Sequence, residues 1–120
     1  MKKFSFCVLM AGAVLLLSSF AQTQSAGNVE NGKRLYLTTG CYQCHGYAGQ
    51  GGGAGARLSA TPLNVQAFIQ YTRRPTTAMP AYVDKILSDR ELTDIHAYVK
   101  SMPAPKAAKD IPLLNQLKNR

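Results

Sequence analysis

The 120-residue chain carries 14 lysines and arginines against 6 aspartates and glutamates, a formal balance of +8. That length allows one domain of modest size, which buries a smaller share of its surface than a large protein and gains from an internal staple. The basic residues are scattered rather than blocked, which argues against a nucleic-acid stripe and leaves part of the charge as a solvated face.

Lys2 and Lys3 precede an apolar or small stretch from Phe4 to Phe20, and Ser19-Phe20-Ala21 puts small residues at the −3 and −1 positions of a cleavage site. Residues 1–21 read as a secretory signal peptide, with Ala26 as the second choice of cleavage position. An uncleaved anchor is the alternative, since the stretch sits at the short end of the about 17–25 apolar residues that span a bilayer. Cleavage after Ala21 leaves 99 residues, removes Cys7 and lowers the charge to +6. The mature chain then has no stable membrane span and is expected in the periplasm.

The first helix is predicted from Asn28 to Leu37. Val29, Gly32, Leu35 and Tyr36 share one face at helical spacing, Asn28 can cap the start and Gly40 can end it. Cys41-Tyr42-Gln43-Cys44-His45 follows, a C-x-x-C-H run with the spacing of a c-type haem attachment site. Two thiols three residues apart on a helical turn can each form a thioether to one porphyrin. His45, the next residue, is then placed to ligate the iron through an imidazole nitrogen. The same residues also fit a thioredoxin-like redox pair or half a zinc site. The redox pair needs a βαβ context that this chain lacks. Zinc needs a fourth ligand, and His96 is the only other histidine. Export favours haem, because a free pair tends to oxidise in the periplasm.

Gly46 to Ala56 is glycine-rich and aperiodic, a loop that leads from this motif to the next core segment. It lacks the Gly-Lys-Ser/Thr ending of a phosphate loop. A second helix is predicted from Leu63 to Arg73, with Asn64 as cap, Val65, Phe68, Ile69 and Thr72 as the buried face, and Pro75 as the stop. Tyr82 to Leu87 has room for a helical turn. Ser88 and Glu91 form a capping box that opens the last helix, Asp89 to Ser101, whose inner stripe is Leu92, Ile95, Val99 and Met102. Beyond Met102 a proline-, alanine- and lysine-rich linker leads to Ile111, Leu113, Leu114 and Leu117. This tail has three readings: poorly ordered, folded back on the domain, or docked on a partner.

These separated elements, in this order, resemble the class I (mitochondrial-type) bacterial monohaem cytochrome c family. The resemblance covers roughly residues 28–103. It rests on Gly32 with Tyr36, the Cys41–His45 motif, Gly55-Ala56-Arg57-Leu58 on the histidine side, Tyr71, Ala78-Met79-Pro80 and the helix containing Ile95 and Tyr98. It implies an all-α cytochrome c fold, three to five helices around one covalent haem c, with the terminal helices crossing near Gly32 and Tyr98. Ala56 stands where many relatives have proline; its carbonyl can still accept from His45, without proline's rigidity.

The resemblance also implies Met79 as sixth ligand, in a loop between Pro75 and Pro80 that can aim a thioether at the iron opposite His45. Met102 ends a helix stripe and reads as core packing. His96 reads as a surface or satisfied polar residue. Arg57, Arg73 and Arg74 are each either propionate partners or solvent-facing charges, and Tyr71 either bonds near Met79 or a propionate or packs as an aromatic. Six-coordinate His/Met iron transfers electrons rather than binding substrate. The expected protein is therefore not an enzyme. It is an exported one-electron carrier between a redox donor and acceptor, with an acidic docking surface on the partner and no nucleic acid. Its parts are a leader at 1–21, a cytochrome domain at 22–103 and a tail at 104–120. The alternative is an electron-transfer subunit of a periplasmic dehydrogenase or oxidase complex. A haem sensor, a third reading, requires Met79 to leave the iron.

Overall fold

The computed structural model describes residues 26–52 and 54–118, so the leader and its cleavage sites lie outside the described residues. Every regular element among them is helical. Helix α1 spans Val29–Thr38, α2 Cys41–His45, α3 Val65–Arg73 and α4 Asp89–Ser101. A 3-10 turn at Ala108–Asp110 leads to α5, Pro112–Lys118.

The caps explain where the helices start. Asn28 accepts from the Asn31 N–H at the head of α1, and Asn64 accepts from the Ala67 N–H at the head of α3, each worth about 1 kcal/mol. The helix predicted from Leu63 therefore begins at Val65, because its cap residue Asn64 is extended. At α4 both halves of the Ser88–Glu91 capping box form. The Ser88 N–H and hydroxyl both donate to the Glu91 carboxylate, which stabilises its ionised form and pulls its carboxyl below the ordinary range. Thr39 closes α1 with its N–H on the Leu35 carbonyl, and Gly40 takes a left-handed conformation at φ 78°. The chain thereby turns directly into the motif helix.

α1 and α4 pack against each other, and α3 lies on α4. Their inner faces enclose Leu35, Tyr36, Phe68, Leu87, Leu92, Ile95, Val99 and Met102. Every residue of the predicted α4 stripe is buried, including Met102. Val29, at the first turn of α1, is instead 39% exposed. The helix crossing sits at Gly32, where an added Cβ would strike the Asp94 carbonyl group and come within 3.0 Å of the Ile95 nitrogen. Tyr98, one turn further along α4, meets Tyr36 edge-to-face with ring centroids 5.5 Å apart. The crossing thus lies nearer Asp94 than Tyr98, and the tyrosine pair flanks it.

Among the described residues the tail forms the 3-10 turn and α5. Its two short elements contact each other and no other helix among the described residues. No helix among these residues is long and apolar enough to cross a membrane.

Candidate functional site

The motif is positioned by what precedes and follows it. Gly40 and Gly46, with φ of 78° and 79°, bracket α2 so that five residues form a single turn. Tyr36, fully buried on α1, donates its hydroxyl to the Gly46 carbonyl at 2.6 Å and so holds the end of that turn to the core. Burial pushes the Tyr36 phenol up to about 12. Thr39 donates to the Leu35 carbonyl at 2.7 Å, with its hydroxyl 3.3 Å from the Cys41 sulfur.

Cys41 and Cys44 are both free thiols, Cys41 half-buried and Cys44 exposed. Burial pushes the Cys41 thiol up, partly offset by the Thr39 contact. Tyr82 faces the pair. Its phenol is raised chiefly by burial and then by the proximity of Cys41 and Cys44.

His45 is buried, and its Nδ1 lies 2.6 Å from the Ala56 carbonyl oxygen. A carbonyl can only accept, so Nδ1 carries the proton and Nε2 keeps its lone pair for a metal. The loop is shaped for this contact. Gly55 has no room for a Cβ, which would lie 2.7 Å from the Cys44 carbonyl oxygen and 2.9 Å from His45 Nδ1. Gly51 donates to the His45 carbonyl at 2.8 Å, and Leu58 and Ser59 both donate to Gly49. Ala60 donates to the Val99 carbonyl at 3.0 Å, tying the far end of the loop to α4. Alanine at position 56 thus supplies the acceptor without proline. Two adjacent thiols and an imidazole with its second nitrogen already committed form the donor set that a covalent haem requires.

Met79 is half-buried in the irregular stretch 74–81. Met102 is buried, its sulfur packed against Gly49. His96 is a satisfied core residue: Nε2 donates to the Leu63 carbonyl at 2.8 Å, and its ring lies 5.4 Å from that of Phe68. Its spacing, four after Leu92 and three before Val99, was the signal for burial. The Tyr71 hydroxyl lies 3.3 Å from Thr77 Oγ1, two residues before Met79 in the chain.

Arg57 and Arg74 are exposed. Arg73 is neither solvent-facing nor free: it donates to the Tyr82 carbonyl at 2.7 Å and pairs with Asp89 at 2.6 Å and Asp84 at 3.3 Å. Nothing in the local spacing marks that pairing, because Asp89 lies sixteen residues away. Asp94 and Tyr82 were likewise not legible, since both contacts are made across the fold.

A groove of about 560 Å3 runs between α3 and α4, lined by Asn64, Val65, Ile69, Thr93 and Ala97 among others. It touches none of the motif residues. Its open, mixed polar lining does not suit a large apolar ring, so we place the functional site at the motif.

Residues 27–99 match the family described as cytochrome C oxidase, cbb3-type, subunit III. The chain is 32% identical over 103 residues to a protein of Pseudomonas putida, the cytochrome c subunit of 4-cresol dehydrogenase (hydroxylating). That alignment covers 83% of this chain and 88% of the relative. No solved structure matches the chain significantly.

Proposed function

Because the chain belongs to the cytochrome c family, and so is an electron-transfer protein rather than an enzyme, we propose that it is an exported monohaem carrier of single electrons with His45 and Met79 as axial ligands. The observation that carries this reading is the 2.6 Å contact between His45 Nδ1 and the Ala56 carbonyl, which commits one imidazole nitrogen and frees the other. The haem supplies a one-electron iron couple.

The chain's residues do the rest. Cys41 and Cys44 would hold the group through thioethers. Ala56 orients the His45 ring and raises its basicity as a donor. Met79 would be the second protein ligand to the iron, which supports transfer over substrate binding. Leu58 and Tyr82 pack against the core that contains Tyr36 and would shield the group from water on that side. The positive charge of the mature chain suits an acidic redox partner.

A second reading is supported by the relative from Pseudomonas putida, which is a subunit of a dehydrogenase, and by the exposed leucines of α5. In it the chain is a bound electron-transfer subunit of a periplasmic dehydrogenase.

The test is mass spectrometry and acid extraction of the native protein, with two substitutions. The mass is expected to equal the chain without residues 1–21 plus one haem, and the haem is expected to resist extraction. Met79→Ala should abolish the weak methionine-to-ferric-iron band at the red edge of the visible spectrum. Met102→Ala should keep the band while destabilising the core by roughly 2–5 kcal/mol. Haem that extracts freely would sink the c-type reading, and a band that outlives Met79 would sink the ligand assignment.

A further inference from the structure

The stretch that carries Met79 is held mainly at its neck. Its flanking backbone hydrogen bonds run from the Arg74 N–H to the Gln70 carbonyl, 3.0 Å, and from the Tyr82 N–H to the Thr72 carbonyl, 3.1 Å. Within the stretch, Thr77 meets the Tyr71 hydroxyl at 3.3 Å. Arg73 closes the neck. From the last turn of α3 its Nη1 donates to the Tyr82 carbonyl at 2.7 Å, and its Nη2 reaches Asp89, the first residue of α4, at 2.6 Å. Asp84 is a third, longer partner at 3.3 Å.

The Arg73 side chain is only 19% exposed, whereas those of Asp84 and Asp89 are 80% and 69% exposed. An exposed long pair such as Arg73–Asp84 contributes little. The short, charge-assisted bonds to the carbonyl and to Asp89 decide the strength of the closure. One planar guanidinium thus binds entrance, exit and the next helix together, a task that uses its fork and that a lysine ammonium performs poorly.

We infer that Arg73 is a positioning residue that sets how readily Met79 leaves the iron. The inference rests on the Met79 ligation proposed above. A thioether held by a loop departs when the loop's neck opens, and Arg73 is the side chain that spans that neck.

The test uses the ferric holoprotein and imidazole, a small ligand that takes the sixth position once the methionine vacates it. Loss of the methionine band reports both the apparent affinity and the limiting rate at saturating imidazole. Arg73→Gln is expected to raise both by about tenfold or more. Arg73→Lys should recover part of the difference, and Asp89→Asn should move both quantities in the same direction by less. If Arg73→Gln does not accumulate as holoprotein, the other two variants carry the comparison.

Gly32→Ala, which strains the α1–α4 crossing and touches none of the neck contacts, is the control. An increase there as large as in Arg73→Gln would mean general loosening and would overturn the inference. A wild-type protein without the methionine band overturns the ligand reading and this inference with it. A band present in wild type and lost in Met79→Ala, with imidazole binding unmoved by the Arg73 and Asp89 substitutions, overturns the inference alone.

Discussion

Tyr36 shows how one side chain can join core packing to the functional site. Its ring fills the space beside Tyr98 and its hydroxyl ends on the Gly46 carbonyl, the cap of the motif helix. Burial holds its proton to about 12, whereas a tyrosine in the unfolded chain loses it near 10. Below pH 10 both states are protonated and the contribution is whole. Between about 10 and 12 the unfolded state binds fewer protons, so stability falls as pH rises. Denaturant midpoints at about pH 8 and about pH 11 check this. The wild type is expected to lose on the order of 1 kcal/mol more across that interval than Tyr36→Phe. The variant itself should be less stable at pH 8 by about 1 kcal/mol, for the lost hydrogen bond. Equal losses in the two proteins would show that Tyr36 does not govern alkaline stability.

The crossing of α1 and α4 depends on two residues of opposite character. Gly32 lets the backbones meet. Asp94, 3% exposed, receives the Asn28 N–H at 2.7 Å and the Asn31 amide at 2.8 Å, with Arg90 3.8 Å away. A buried carboxylate is tolerable because these donors satisfy it, and it also lies at the positive end of α1. Alanine in place of a helical glycine ordinarily gains about 0.5–1 kcal/mol in propensity. At position 32 overpacking costs roughly 1–3 kcal/mol, and the obstruction is backbone that cannot rotate aside, so destabilisation should win. Gly52→Ala is the comparison, since its nearest neighbour would be an ordinary contact at 3.7 Å. Urea unfolding should show Gly32→Ala less stable by about 1–2 kcal/mol and Gly52→Ala within about 0.5 kcal/mol of wild type. Similar values for the two would remove the close crossing as the reason for glycine at 32.

At the scale of the whole molecule, the helical domain and the tail make different demands on a partner. The +6 balance of the chain without residues 1–21 favours steering, which fades beyond about 10 Å at 0.1 M salt. The tail instead presents Leu113, Leu114 and Leu117, 64%, 44% and 58% exposed, on a seven-residue helix that is marginal without support. Electron-transfer rate against ionic strength, with and without residues 111–120, separates the carrier from the subunit. A carrier should slow steeply with salt and ignore the truncation. A salt-independent rate, together with loss of association on truncation, would replace the carrier with the bound subunit.

Sequence alone determined the local structure: the caps Asn28, Asn64 and Ser88, the α4 stripe, the helical turn of the motif and the family. Each of these depends on residues within a turn or two, so periodicity and spacing record them. The contact from His45 to the Ala56 carbonyl, expected from the family resemblance, is present at 2.6 Å. Only the tertiary structure decided the roles of Asp94, Tyr82, Arg73 and His96, because their partners at Asn28, the cysteines, Asp89 and Leu63 come from other segments. Such contacts depend on how the helices cross and on where the loops between them return, and spacing along the chain carries no record of either.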